Sequence, residues 1–229
     1  MKTLYNKFDK RELASLPRVL FEGRIFTIQT EAEANKAVDY LLSFGLLGVD
    51  TETRPSFKKG KVNSVALLQV STEDTCFLFR LNRIGLSQAL IRLLEDKKVL
   101  KVGLSLKDDL AMLRKRADFA PGKFLELQDF VKNIGIEDMS LQKIYANLFR
   151  AKISKGQRLT NWEADILTDG QKLYAATDAW ACVRIYNELN VLAQNRDYEL
   201  IVRTEETINN NPNNNYCLLY TSPSPRDTR

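Results

Sequence analysis

Asp50-Thr-Glu52 closes an apolar run, Asp109 interrupts the apolar face of a predicted helix, and Tyr174-Ala-Ala-Thr-Asp178 lies on another. The chain has 229 residues and no histidine, so imidazole is excluded as general base, nucleophile partner or metal ligand. Four carboxylates and one tyrosine are left to carry the chemistry. A donor set made only of carboxylates suits hard, oxygen-seeking ions of the magnesium or manganese type. The three cysteines, Cys76, Cys182 and Cys217, are too few and too scattered for a disulfide framework or a zinc centre.

The elements that must position these groups follow from patterning. Phe26-Thr27-Ile28 reads as a strand, and Thr30 with Glu33 forms a capping box that opens a helix through Leu42. Leu46 to Asp50 is a nearly continuous apolar run, as suits a strand buried on both faces. Ser64–Val70 and Cys76–Phe79, separated by a polar turn, predict a hairpin. Helix and strand then alternate: a helix over Ser87–Leu94, a strand over Val99–Val102, a helix over Ser105–Arg116 and a strand over Phe124–Leu127. Further helices are predicted near Leu141–Leu148 and over Asp169–Leu192, the latter opened by a Thr168/Gln171 capping box. This order predicts an α/β fold, a five- to six-stranded mixed sheet with helices on both faces.

Each acid also has a bland explanation. Asp50 and Glu52 share one strand face, but an Asp-x-Glu strand end is commonly just solvated. Two carboxylates held together repel unless a cation or a shared proton intervenes. If Ser105 caps its helix, Asp108 occupies the third position, where an acid favours the positive end of the helix dipole. Asp109 instead shares a face with Leu106, Leu110 and Leu113, and a carboxylate turned toward a core is costly unless paired or bound to metal. Tyr174 and Asp178 stand one turn apart on a stripe continued by Cys182 and Ile185. In isolation that pair also has a bland reading, as a hydrogen bond that serves packing.

Taken in order, Asp50-Thr-Glu52, Gly103-Leu-Ser-Leu-Lys-Asp-Asp109-Leu and Tyr174-Ala-Ala-Thr-Asp178-Ala resemble the three motifs of the DEDDy 3′–5′ exonucleases. That family includes ribonuclease D and the exonuclease domain of the Werner syndrome helicase. Leu159-Thr-Asn-Trp162-Glu-Ala is similar to the segment before the family's last motif. The second motif lies closer to the Werner type, and Tyr174, where a sister subclass has histidine, assigns the tyrosine subclass. The resemblance spans roughly residues 25–192 and implies a ribonuclease H-like fold with the second strand antiparallel to the rest. It further implies two divalent cations, Mg²⁺ or Mn²⁺. Asp50 would bridge them, Glu52 and Asp178 would complete the first site, and Asp109 would support the second through water. Two such ions stabilise the attacking and leaving oxygens of an in-line displacement at phosphorus. With a reference pKa of about 10, Tyr174 is assigned to orienting the attacking water rather than deprotonating it.

The expected reaction is hydrolysis at single-stranded or recessed 3′ ends of DNA or RNA, releasing nucleoside 5′-monophosphates. A catalytically silent nucleic-acid-binding module on the same fold is the alternative. Lys58, Lys59 and Lys61 after the first motif, and Lys155 and Arg158 before the last, are candidate phosphate contacts, with Phe57 or Trp162 to stack on a terminal base, core packing being at least as good a reading of Trp162. A formal charge of +5 is consistent with a polyanionic partner.

Hydrophobic content of 44% and charged content of 28% read as a soluble globular chain, with no membrane-length apolar run and no signal-peptide core, so a cytoplasmic setting is expected. Four stretches are expected: an N-terminal extension at 1–20, the 3′–5′ exonuclease domain at 21–198, an Asn-rich linker or frayed end at 199–216, and a foreign tail at 217–229. Cys217-Leu-Leu-Tyr-Thr-Ser-Pro-Ser-Pro-Arg-Asp227 back-translates onto a widely used transposase sequencing adapter, with the junction in the Tyr216 codon. The expectation is that the natural C-terminus is replaced there.

Overall fold

The computed structural model describes residues 1–58, 60 and 62–204, together with the backbone of 217–218. Its elements in chain order are β1 (Lys2–Tyr5), α1 (Lys10–Ser15), β2 (Arg24–Ile28), α2 (Glu31–Leu41), β3 (Leu46–Thr53), β4 (Val65–Ser71), β5 (Thr75–Arg80) and α3 (Leu81–Ile84). There follow α4 (Gln88–Glu95), β6 (Leu100–Gly103), α5 (Leu106–Arg114), β7 (Phe124–Glu126), α6 (Leu127–Asn133), α7 (Leu141–Phe149), α8 (Asp169–Asn195), β8 (Tyr198–Val202) and β9 (Cys217–Leu218).

Six strands form the main sheet in the order β2-β5-β4-β3-β6-β7. Only β4 runs against its neighbours; the other pairings are parallel. This is the ribonuclease H-like mixed sheet, and β4 is second when counting starts at β3, the strand that carries Asp50. The β4–β5 hairpin is the one the polar turn predicted.

Alternation along β3 decides what each face sees. Leu47 and Val49 pack into one core with Ala37, Val38 and Leu41 of α2, Leu90 and Leu94 of α4, and Leu113 of α5. Gly48 faces the opposite way, against α8, where a Cβ would stand 2.0 Å from the Ala179 carbonyl oxygen. Helix and strand can approach this closely only because residue 48 has no side chain. Both capping boxes form as expected: the Thr30 side chain accepts from Glu33 N–H, and the Thr168 side chain from Gln171 N–H.

A second, small sheet was not expected. β1 pairs in parallel with β8, from Lys2↔Tyr198 to Tyr5↔Ile201, and β9 adds to β8 on the other side. Leu4 is buried in the core that α6, α7 and α8 share. Asn147 accepts from Tyr5 N–H at 3.0 Å, and Asp138 from Phe8 N–H at 2.6 Å. The boundary expected at 198/199 falls inside β8, and the stretch expected as an N-terminal extension carries its partner β1, because charge-rich composition says nothing of long-range pairing. Beyond the 217–218 backbone pair, the tail and most of the Asn-rich stretch lie outside the described residues.

Candidate active site

The close approach at Gly48 sets the strand face bearing Asp50 and Glu52 against the α8 face bearing Tyr174 and Asp178. One carboxylate oxygen from each of Asp50, Glu52 and Asp178 lies within 4.8 Å of the others. Glu52 and Asp178 are buried, at 8% and 6% exposure. Crowding acids in a place water barely reaches disfavours their charged forms twice over, by lost hydration and by mutual repulsion. Burial first, then Asp178 and Asp109, push Glu52 up to about 9. Burial raises Asp178 to about 7 against the Tyr174 hydroxyl bond and the Lys155 charge, which both favour its carboxylate. Asp50 is held well above the carboxylate range by burial and its three acidic neighbours.

Among the described residues, Asp178 Oδ1 is buried without a hydrogen-bond partner. So are both carboxamide atoms of Gln69, which stands directly across from Asp50 on β4. Such orphaned polar atoms are uncommon in folded proteins. Three crowded acids, one with an unpartnered oxygen, form a donor set that fits a hard divalent cation.

Asp109 approaches from the other side of β3. The Thr51 hydroxyl, between Asp50 and Glu52 in sequence, donates to its Oδ1. Burial raises Asp109 to about 6, the Thr51 bond opposes this, and Asp108 and Glu126 add repulsion. The helical phase holds, since Asp108 is exposed while Asp109 is partly buried. The cap does not. Ser105 sits at φ 62° in the left-handed region and its hydroxyl makes no capping bond. Glu126 takes that role, accepting from Ser105 N–H at 3.1 Å and Leu106 N–H at 2.7 Å. A distant acceptor displaces the local signal.

Trp162 requires a correction. Its indole is wholly buried with Leu67, Leu167, Ala175 and Ala176, its ring centroid 6.0 Å from that of Tyr174. It cannot stack on a base and instead backs the tyrosine. Phe57 is 87% exposed and remains free to stack. Lys58, Lys155 and Arg158 are exposed, and the fields of Lys155 and Arg158 reach Asp178 and Glu52 respectively. Lys59 and Lys61 lie outside the described residues. An ion pair from Arg54 to Glu163, 3.3 Å long, ties the segment after β3 to the one before α8. Buried Arg80 helps fix that second segment, donating to the carbonyls of Ala164 and Asp165. Sequence reasoning missed Gly48, Thr51, Gln69, Glu126 and Arg80. Only Gly48, a glycine within an apolar strand, carries a local sign of close backbone approach.

Residues 25–194 match the family model described as 3′–5′ exonuclease. The chain is 31% identical over 204 residues to the bifunctional 3′–5′ exonuclease/ATP-dependent helicase WRN of Mus musculus, covering 85% of this chain and 15% of that protein. It is 29% identical over 208 residues to a 3′–5′ exonuclease of Arabidopsis thaliana, covering 83% and 72% of the two chains. Among solved structures, the Nibbler EXO domain of Aedes aegypti superposes with a TM-score of 0.70 at 19% identity, over 77% of this chain and 92% of that one. Ribonuclease D of Escherichia coli superposes with a TM-score of 0.66 at 20% identity, over 75% and 45%. The chain belongs to the 3′–5′ exonuclease family. It spans only a small part of the mouse helicase, and most of the plant protein.

Proposed function

We propose that the protein is a DEDDy-type 3′–5′ exonuclease that uses two divalent cations, Mg²⁺ or Mn²⁺, to release nucleoside 5′-monophosphates from 3′ ends of DNA or RNA. The observation that carries this reading is the convergence of Asp50, Glu52 and Asp178 within 4.8 Å, with an unpartnered Asp178 oxygen. Asp50, Glu52 and Asp178 would hold one ion, with Asp50 shared with a second that Asp109 supports. When bound, the ions supply charge stabilisation at the attacking and leaving oxygens.

The remaining work falls to the chain's own groups. Tyr174 is raised above its ordinary value by burial and by Asp178 and Glu52, so it stays protonated at any working pH. A permanent O–H donor of this kind orients the attacking water and does not remove its proton. Lys58, Lys59, Lys61, Lys155 and Arg158 contact backbone phosphates, a sequence-independent mode that falls with salt. Phe57 stacks on a terminal base. Single-stranded and recessed 3′ ends both suit contacts of this kind. One solved relative, ribonuclease D of Trypanosoma brucei, is a complex with RNA U12, which supports RNA as one substrate class. The free, buried Cys76 and Cys182 support a cytoplasmic setting. No described helix is long and apolar enough to cross a membrane.

The test is digestion of end-labelled single-stranded DNA, recessed duplex and RNA with magnesium, manganese or chelator. Stepwise 3′ shortening that stops with chelator and in Asp50→Ala is the expected result. Release from the 5′ end, or digestion by Asp50→Ala at the wild-type rate, would overturn the assignment.

A further inference from the structure

Helix α5 delivers Asp109 to the site but is poorly anchored by its own apolar residues. Of its nine residues, only Leu106 and Leu113 are buried. Its start is also conformationally costly, because Ser105 has φ 62°, a region non-glycine residues enter at about 1 kcal/mol or more. Something outside the helix must hold that turn.

Glu126 ends β7, opposite Gly103 of β6 in the parallel register. Its carboxylate collects three backbone donors: Ser105 N–H at 3.1 Å, Leu106 N–H at 2.7 Å and Gln128 N–H at 3.1 Å. The Gln128 side chain adds a second strap, donating to Ser105 Oγ at 3.3 Å and to the Met139 carbonyl at 2.9 Å. The Ser105 carbonyl in turn receives Asp108 N–H at 3.0 Å and Asp109 N–H at 3.4 Å. A continuous chain of hydrogen bonds thus runs from Glu126 through Ser105 to the backbone of Asp109, while Thr51 holds the Asp109 carboxylate from the sheet. Gly103 lets the turn close, since a Cβ there would stand 2.5 Å from Leu106 Cδ2 and 2.8 Å from the Val49 carbonyl oxygen.

We infer that Glu126 is a positioning residue for Asp109: its carboxylate clamps the first turn of α5 and so fixes the height of Asp109 against Asp50. This rests on the reading of Asp109 as a support for the second cation. Glu126 is not one of the three clustered acids, and its oxygens are committed to backbone N–H groups. Both charge and reach matter in a clamp of this kind, and the two are separable. Aspartate at 126 keeps the charge at the helix start but withdraws the oxygens by one methylene, roughly 1.5 Å.

The experiment compares wild type, Glu126→Ala and Glu126→Asp by steady-state digestion of an end-labelled oligonucleotide, by calorimetric Mn²⁺ titration and by thermal melting. Misplacement of a catalytic group by about 1 Å costs on the order of a hundredfold in rate. Both variants are therefore expected to lose about ten- to hundredfold in kcat, with KM within about threefold, because the phosphate-contacting cations are untouched. The weaker of the two Mn²⁺ events should shift to higher concentration, a readout that mere loss of stability would not move in protein that is still folded. If Glu126→Ala does not fold, Glu126→Asp decides. A folded variant with wild-type kcat and a wild-type Mn²⁺ isotherm would overturn the inference. An inactive wild type whose Mn²⁺ isotherm still responds to residue 126 would instead remove the exonuclease reading and leave the clamp standing.

Discussion

Replacing Asp178 with asparagine should stabilise the metal-free protein above neutral pH while removing its activity. Asp178 is buried and held at about 7 instead of 3.8, burial outweighing the Tyr174 hydroxyl and the Lys155 charge. The fold therefore binds a proton that the unfolded chain has already released. A carboxyl raised in this way contributes its full stability below about pH 4, and that contribution is lost as pH climbs through 7. At about 1.4 kcal/mol for each pH unit between the two values, the ceiling is about 4 kcal/mol. Asp50 and Glu52 share the repulsion and relax when any one charge leaves, so the expected gain is on the order of 2 kcal/mol. For a domain of this size that is about 4–8 °C in melting temperature. The assay is thermal unfolding in chelator from about pH 5 to pH 9, repeated with Mg²⁺. Asp178→Asn should melt above wild type at pH 8, and the gap should close toward pH 5. Added Mg²⁺ should raise wild type and leave the variant nearly unmoved. A variant that melts below wild type at pH 8 in chelator, or a gap that does not change with pH, would refute the reasoning.

Gly48→Ala should cost about 1–3 kcal/mol from overpacking, because the new methyl meets the Ala179 carbonyl at 2.0 Å; urea unfolding measures it, and metal binding should weaken in parallel as α8 lifts from β3. Thr51→Val removes the hydroxyl that favours the Asp109 carboxylate. The acid limb of the rate–pH profile should then move up by about one pH unit, and an unmoved limb would count against a role for that bond. Trp162→Ala should destabilise by about 3–5 kcal/mol, since the indole is wholly buried. Were Trp162 a stacking platform, the variant would instead keep its stability and lose single-strand affinity.

Local rules located the acids because the helical period is strict. Asp108 and Asp109 are adjacent, yet only the second shares a face with Leu106 and Leu113, and only it meets the sheet. The two capping boxes and the β4–β5 hairpin were legible for the same reason, since each is closed within a few residues. What was not legible depends on partners far along the chain. Ser105 has the residue type of a cap, yet Glu126, twenty-one positions on, supplies the acceptor. Trp162 lies outside any helix or strand, where no periodicity reports which way a ring points. The pairing of β1 with β8 joins segments whose compositions gave no sign of each other.

That last pairing bears on the order of events in folding. Lys2 and Tyr198 are register partners, so β1 must wait for a neighbour that lies far along the chain. By then the six-stranded sheet, α5 and the first turns of α8, which together hold the four acids, can already have formed. Contacts of such sequence separation are slow to close and add little to early folding intermediates. The small sheet then acts as a late latch, and its opening would report on β1 and β8 before it reported on the six-stranded sheet. Hydrogen exchange should find the amides of β1 and β8 releasing well ahead of those of β3.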